Sequence, residues 1–247
     1  MPTRPIPADH RRAWGRRMRS IATACGVFVL AVGSYLTFAK AVAIHREATA
    51  PLPDTDGPTG GCTLWFVGSS TIVKWQTLST DMAPWDAHGR GVNGALIPQL
   101  THWVGNEPAG PAPAAIVFYG GENDLDTGAT AAGAMTSFER FMAQKARRYG
   151  ALPVVAISLK PSPARWSERP QQTVFNAALQ KLAATRDDLD FIDIRPLMLV
   201  NDRPGPFYTD DGIHMNAAGY ASWTAWLRPA LARSLPQETV RRCGAAG

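Results

Sequence analysis

The stretch LWFVGSST, residues 64–71, is an apolar run that ends in a glycine followed by two serines. Four consecutive apolar residues bounded by a turn signal are typical of a buried β-strand. The glycine allows a sharp turn, and the hydroxyl of Ser70 then lies at the start of the next helix, where the helix dipole favours a developing negative charge. The stretch therefore predicts either a nucleophilic serine at a strand–turn–helix junction or serines that only cap the helix.

Similar apolar runs recur along the chain and alternate with helical patterns. The predicted strands are Leu64–Val67, Ala115–Tyr119, Val154–Ser158, Phe191–Ile194 and, more weakly, Gly91–Val92. The predicted helical faces carry Met135, Phe138 and Met142 before a stop at Gly150, then Val174, Ala177, Ala178 and Leu182, and finally Tyr220, Trp223 and Leu227 after a cap at Asn216. Such alternation indicates a parallel sheet covered on both faces, with reactive groups at the carboxyl ends of its strands.

Polar groups of three kinds follow the later strands. Gly94 lets a backbone N–H approach a substrate closely, and the side-chain amide of Asn123 is suited to donate to an oxyanion. Asp211 and His214 are three residues apart, a spacing that suits a carboxylate orienting an imidazole base. Each signal also has an ordinary interpretation, as a turn, an Asx turn or a surface Asp–His pair.

In this order, the motifs resemble those of the SGNH hydrolases, also called the GDSL esterase/lipase family. The resemblance covers about residues 64–231 and rests on Gly68-Ser69-Ser70, Gly94, Gly121-Glu122-Asn123-Asp124, Asp211-Gly212-Ile213-His214, the run Ser158–Pro163, and Arg165-Trp166. One departure is Ser69, which stands where the family's name motif has Asp. The resemblance implies a flavodoxin-like three-layer α/β/α fold with a five-stranded parallel sheet.

The resemblance also implies roles for individual residues. Ser70 would be the nucleophile, His214 the general base and then the general acid, and Asp211 the group that orients His214. The oxyanion hole would consist of the backbone N–H groups of Ser70 and Gly94 with the side-chain amide of Asn123. No metal or organic cofactor is implied.

The expected substrate is a carboxylic ester, small or polymeric, of an extracytoplasmic carbohydrate or lipid. Acyl transfer to a glycan hydroxyl, or a non-catalytic glycan-binding module, are the alternatives. Trp75, Trp85 and Trp166 are candidates to stack on sugar rings or hold an acyl chain, or they only pack, and Trp75 and Trp166 are taken as the substrate-binding pair.

The charge of the chain is concentrated at its N-terminus. Residues 1–40 hold seven of the 25 basic residues and one of the 20 acidic ones, which leaves the rest with 18 basic and 19 acidic groups, a net charge of −1. The body therefore has no bulk attraction for nucleic acid, and no nucleic-acid partner is expected.

An uncharged run of 18 residues, 21–38, follows five arginines. It is predicted to be a transmembrane helix with the catalytic domain outside the cytoplasm, or else a signal peptide that is removed near residues 39–43. The predicted organisation is a basic arm (1–20), this membrane segment (21–43), a Pro- and Gly-rich linker (44–61), the hydrolase domain (62–235) and a short tail (236–247).

The fold that the resemblance implies also bears on two cysteines. It places Cys62 at the start of the first strand, at the end of the sheet away from the active site, and brings Cys243 towards the same end. A disulfide between them is the resulting hypothesis. Neither has the spacing of metal ligands.

Overall fold

A computed structural model describes residues 32–42, 46, 49–53 and 57–244 of the chain. The chain divides into two compact units, residues 1–49 and 50–247. In the first unit, residues 32–42 are helical and mostly exposed. Of the predicted transmembrane run, residues 21–31 lie outside the described part, as does the arm before them. Within the described part, no helix is long and apolar enough to cross a membrane.

The second unit is built on one parallel sheet. Its strands are β1 (Thr63–Gly68), β2 (Asp86–Gly91), β3 (Ala115–Tyr119), β4 (Val154–Ile157) and β5 (Leu189–Ile192). They pair in the order β2-β1-β3-β4-β5, every pair parallel. This confirms the predicted five-stranded parallel sheet, and the order is the flavodoxin-like one, in which the winding direction reverses between β1 and β3 and opens a crevice at the carboxyl edge.

Helices cover the sheet and connect its strands. They are α1 (Ser70–Val73), α2 (Leu78–Asp81), α3 (Ile97–Gly105), α4 (Glu122–Asp126), α5 (Ala131–Tyr149), α6 (Arg169–Ala183), α7 (Arg195–Met198), α8 (Ala217–Ser234) and α9 (Gln237–Thr239). A 3-10 turn (Trp166–Glu168), a π-helical turn (Val240–Gly244) and the hairpin of β6 (Leu199–Val200) and β7 (Arg203–Pro204) complete the described elements.

Two neighbouring residues of β3 show that the helices form layers on both faces. The ring of Phe118 packs against Phe138 of α5 at 5.1 Å, whereas the ring of Tyr119 packs against Trp223 of α8 at 5.1 Å. Successive side chains of a strand point to opposite faces of the sheet. Helices α5 and α8 therefore lie on opposite faces, which gives the three layers α/β/α.

The helix boundaries follow the predicted signals, but one buried face does not. Asn216 caps α8 by accepting a hydrogen bond from Gly219 N at 3.0 Å, as expected. The predicted face of α6 was wrong at Val174, which is 57% exposed, and at Ala177, which is exposed too. Ala178 and Leu182 pack partly buried against the core, as predicted. The buried face carries Phe175 and Asn176, and the amide of Asn176 bonds both the N–H and the C=O of Leu159.

Part of the predicted linker packs against the domain. Leu52 is buried, and its N–H donates to Glu107 Oε1 at 2.8 Å. Arg90 on the edge strand β2 donates to the carbonyl oxygens of Leu52 and Pro53, at 2.8 and 3.0 Å, and forms a buried ion pair with Glu107. Residues 50–53 therefore pack against the side chains of Arg90 and Glu107.

The tail returns to the start of the sheet. Cys243, in the π-helical turn, forms a disulfide with Cys62, and their Cα atoms are 5.2 Å apart. Arg242 donates to the carbonyl of Gly61 beside it, at 3.0 Å. Closing a loop of 181 residues stabilises a fold by about 5 kcal/mol in the chain-entropy model.

Candidate active site

Three side chains that are distant in sequence meet at the carboxyl end of β1. Ser70 is the first residue of α1, directly after the turn that ends β1. His214 Nε2 lies 2.8 Å from Ser70 Oγ, although the two residues are 144 positions apart. His214 Nδ1 lies 2.6 Å from Asp211 Oδ2. The structure thus places the three predicted residues in one line of hydroxyl, imidazole and carboxylate.

A compact turn sets the orientation of the carboxylate. Asp211 Oδ1 accepts hydrogen bonds from the backbone N–H groups of Ile213 and His214 and from Thr209 Oγ1, each at 2.9 Å. Gly212 adopts φ 65°, a left-handed conformation that favours glycine. With Oδ1 occupied by the turn, Oδ2 is directed at the imidazole.

The same contacts determine the charge of Asp211 and the tautomer of His214. Partial burial raises the pKa of Asp211, but hydrogen bonds from His214, Ile213 and Thr209 outweigh it and hold this pKa well below its ordinary value. Asp211 is therefore ionised at neutral pH and can only accept. His214 Nδ1 donates to it, which leaves Nε2 as the acceptor for the Ser70 hydroxyl.

The predicted oxyanion groups follow the two neighbouring strands. Asn123 is in α4, after β3, and its Nδ2 donates to Ala95 O at 3.0 Å. Gly94 precedes Ala95 in the exposed turn after β2 and has φ 72°. The hydrogen bond from Asn123 to Ala95 therefore links α4 to the turn that contains Gly94. Ser70, Gly94 and Asn123 thus follow three adjacent strands at one edge of the sheet.

A second contact strengthens this link between the turns. The carboxylate of Asp124 accepts a hydrogen bond from Ile97 N, at 3.2 Å to either oxygen. Ile97 begins α3, the helix that follows the Gly94 turn. The Gly121–Asp124 motif therefore holds the neighbouring turn through both its amide and its last carboxylate.

A buried ion pair lies beneath these turns. Lys160 Nζ is 2.6 Å from Glu122 Oε2, 3.2 Å from Thr71 Oγ1 and 3.3 Å from Tyr119 Oη. The side chains of Lys160 and Glu122 are 0% and 3% exposed, so the pair is shielded from water. Burial lowers the pKa of Lys160, and the charge of Glu122 opposes that shift. One lysine therefore links α1, which begins at Ser70, to α4, which contains Asn123.

Sequence reasoning did not assign a role to this lysine or to Arg165. Arg165 Nη2 donates to Asn123 Oδ1 at 3.0 Å and to Asp126 Oδ2 at 2.8 Å. Both cations belong to the segment after β4 that resembles the family. The sequence did contain a signal for both residues. They are cations that closely follow a buried strand, at the edge of the sheet where reactive groups gather.

The candidate aromatic residues differ in their surroundings. Trp75 is only 3% exposed, and its ring packs between Phe66, Tyr220 and Trp223 in the core, which corrects its assignment to the substrate surface. Trp85 is buried as well. Trp166 is half-buried beside Arg165, with the guanidinium of Arg169 4.6 Å from its ring centre.

Metal ligands were not expected from the sequence. Among residues 32–42, 46, 49–53 and 57–244, no group of three or more His, Cys, Asp or Glu side chains is placed to hold a metal ion. Asp211 and His214 face each other and Ser70. The expectation that the site works without a cofactor stays a prediction.

The fold is shared with solved structures at low sequence identity. A GDSL-like lipase from Bacteroides thetaiotaomicron has a TM-score of 0.58 at 20% identity, covering 71% of this chain and 90% of that one. A family 3 carbohydrate esterase from Clostridium thermocellum has 0.55 at 16%, covering 69% and 98%. A member of the lipolytic protein G-D-S-L family from Veillonella parvula has 0.55 at 14%, covering 66% and 95%. No curated protein sequence matches the chain.

The sequence profile of the GDSL-like Lipase/Acylhydrolase family matches residues 55–222. This span is more than half of the chain and contains the whole parallel sheet. It also contains the turn after β1 with Ser70 and the turn with Asp211 and His214. The chain therefore belongs to the GDSL-like lipase/acylhydrolase family and is an ester hydrolase.

Proposed function

We propose that the chain cleaves carboxylic esters through an acyl-enzyme formed on Ser70. The observation that carries this proposal is the line of contacts from Ser70 Oγ to His214 Nε2, 2.8 Å, and from His214 Nδ1 to Asp211 Oδ2, 2.6 Å. A hydroxyl with an oriented base beside it is the arrangement that nucleophilic catalysis requires.

The first half-reaction forms the acyl-enzyme. Ser70 Oγ attacks the ester carbonyl carbon while His214 Nε2 takes its proton. The negative charge that develops on the carbonyl oxygen is held by the N–H groups of Ser70 and Gly94 and by the remaining amide hydrogen of Asn123. The intermediate then collapses, the C–O bond to the alcohol breaks, and the alcohol leaves with the proton from His214.

The second half-reaction regenerates the enzyme. Water attacks the acyl carbon, and His214 Nε2 takes a proton from it. Collapse of this second intermediate breaks the bond to Ser70 Oγ, which recovers the proton, and the carboxylic acid is released. Throughout, Asp211 stabilises the imidazolium without taking its proton.

The openness of the site supports a bulky substrate. Gly94 is exposed, and Ser70 and His214 are half-buried, so the scissile bond of a large molecule can reach the nucleophile. We therefore propose a carbohydrate or lipid ester and favour the carbohydrate. A structural neighbour that is a carbohydrate esterase and the half-buried ring of Trp166, which is next in sequence to Arg165, support this choice.

We also propose that the domain works outside the cytoplasm, attached through residues 21–38 or released after cleavage. The five arginines before that run and the Cys62–Cys243 disulfide, which suits an oxidising compartment, support this location. Cell fractionation with intact mass tests it. Recovery of the protein from the cytosol with both thiols free would exclude it.

The test of the reaction compares the full chain with two serine variants. Hydrolysis of p-nitrophenyl acetate and of longer acyl esters is measured for the parent, Ser70→Ala and the matched control Ser69→Ala. Activity should collapse in Ser70→Ala and stay within about tenfold in Ser69→Ala. Equal activity in the parent and Ser70→Ala would refute the mechanism. Products formed with and without a sugar acceptor distinguish hydrolysis from acyl transfer.

A further inference from the structure

The amide of Asn123 is held between two groups that fix which way it faces. Its Oδ1 accepts from Arg165 Nη2 at 3.0 Å, and its Nδ2 donates to Ala95 O at 3.0 Å. A guanidinium can only donate and a carbonyl can only accept, so exchanging the oxygen and nitrogen would break both bonds. One hydrogen of Nδ2 remains after these bonds are formed.

Arg165 is itself largely buried and contacts a second residue of α4. Its side chain is 10% exposed, and the Nη2 atom that contacts Asn123 also lies 2.8 Å from Asp126 Oδ2. Asp126 and Asn123 both belong to α4, so the guanidinium binds one short helix at two points. Two charge-assisted contacts on one helix restrict its position more than either alone.

The backbone beside Arg165 reaches the other half of the site. Ala164 N donates to Gly212 O at 3.0 Å, within the turn that orients Asp211 and His214. Glu168 N donates to Arg165 O at 3.1 Å and closes the 3-10 turn. The segment that carries Arg165 therefore contacts both the turn that contains Asp211 and His214 and the helix α4 that contains Asn123.

The charge of Arg165 acts on the amide through Oδ1. A cation at the oxygen withdraws electron density from the nitrogen, which makes the remaining N–H a better donor. A preorganised donor of this kind contributes most when negative charge develops on the substrate. The effect is therefore expected in the rate of reaction and not in the binding of the neutral ester.

We propose that Arg165 is a positioning residue that orients and polarises the Asn123 amide as a donor to the oxyanion. This inference rests on the proposed function and adds a residue to the same site. Its signature is dependence on Asn123, because a residue that acts through another has little left to contribute once that residue is gone.

The test uses a fluorophosphonate probe on the full chain, because the probe reports on Ser70 whatever the natural ester is. Ser70 Oγ forms a bond to phosphorus, fluoride leaves, and the serine proton leaves through His214, while the phosphoryl oxygen occupies the oxyanion site. The rate of labelling is followed by intact mass for the parent, Ser70→Ala, Arg165→Met, Asn123→Ala and the double variant.

Asn123→Ala should slow labelling about 100- to 1,000-fold, the usual loss for one oxyanion donor. Arg165→Met should slow it about 10- to 50-fold in the parent but less than about threefold in Asn123→Ala. Arg165→Lys keeps the positive charge on a single nitrogen without the planar guanidinium, and its rate of labelling should lie between those of the parent and Arg165→Met. Arg186→Met is the matched control, since Arg186 pairs with Asp188 before β5 and should leave the rate unchanged.

Equal losses from Arg165→Met in both backgrounds would refute the positioning role, since the arginine would then be supporting the fold alone. If that variant does not fold, Arg165→Lys is compared in the two backgrounds by the same criterion. A parent that is not labelled at Ser70 would refute the proposed function, and the role of Arg165 with it. Labelling that Arg165→Met leaves unchanged would refute only the role of Arg165.

Discussion

Replacing Lys160 by methionine should destabilise the domain severely, because it leaves Glu122 charged and buried. Lys160 donates to three groups, and Glu122 is 3% exposed, with no hydrogen-bond partner for Oε1 in the described part of the chain. Breaking a buried ion pair on one side costs about 3–5 kcal/mol. At about 2–4 °C per kcal/mol for a domain of this size, the melting temperature should fall by about 6–20 °C.

Two further variants make this prediction specific. Lys160→Met with Glu122→Gln removes the uncompensated charge and should recover part of the lost stability. Lys145→Met is the matched control, because Lys145 is also fully buried but its partner Asp188 keeps the ion pair with Arg186. Lys145→Met should therefore lower the free energy of unfolding by less, about 1–2 kcal/mol.

The assay is thermal and urea unfolding of the full chain, with hydrolysis of p-nitrophenyl acetate measured well below the melting temperature. The double variant should be more stable than Lys160→Met alone. A double variant that is as unstable as the single one, or more so, would refute the argument from charge. The loss would then have to come from the contacts of Lys160 with Thr71 and Tyr119.

Other substitutions test separate parts of the site and the core. Asp211→Asn should reduce hydrolysis about 10⁴-fold. Hydrogen bonds lower the pKa of Asp211 in the folded state, so its stabilisation is fully present above about pH 4 and is lost progressively as the pH falls towards the folded-state pKa. The difference in melting temperature between the parent and this variant should therefore be largest at about pH 7 and shrink steadily below about pH 4, and a constant difference would contradict this. Trp75→Ala should cost about 3–5 kcal/mol of stability, whereas Trp166→Ala should leave stability nearly unchanged and raise KM for a sugar ester; the opposite pattern in melting and kinetics would reverse the two assignments.

The sheet could be predicted because a strand that is buried on both faces has an apolar sequence. The end of each such strand then showed where reactive groups could lie. β1, β3 and β4 are fully buried and were found within about one residue of their bounds. Position alone marked Ser70 and Asn123 only as polar groups at strand ends, which also suited a helix cap and an Asx turn. The order of the motifs, through the family resemblance, assigned their roles. The Asp211–His214 spacing suggested an oriented base because one local turn supplies the hydrogen bonds to Asp211 Oδ1, but a surface Asp–His pair fitted the spacing too, and the resemblance decided between them.

The edge strand β2 could not be read in the same way. Its sequence, DAHGRG, is polar, yet Arg90 is 3% exposed. Arg90 is buried by Glu107, by the carbonyl groups of residues 52 and 53, and by the ring of Trp65 at 4.2 Å. These partners lie 17 or more positions away, so no local pattern of hydrophobicity reports them.

The same limit explains the errors at α6 and Trp75. Asn176 is buried because its amide satisfies the backbone of Leu159, a contact that hydrophobic periodicity cannot indicate. Trp75 follows the first strand and could have faced a substrate or the core. Tyr220 and Trp223, about 145 positions later, decide the question by packing on its ring.

The disulfide turns the catalytic domain into a covalent ring. Every strand of the sheet and every proposed catalytic group lies between Cys62 and Cys243. A protease that cuts once at an exposed turn, such as Asn201–Asp202 between β6 and β7, would therefore leave one connected molecule and not two fragments. The nicked enzyme should migrate at its full mass on a denaturing gel until a reductant is added. The disulfide thus keeps Ser70 and His214 in one covalent molecule after a cut that would separate them in a chain without it.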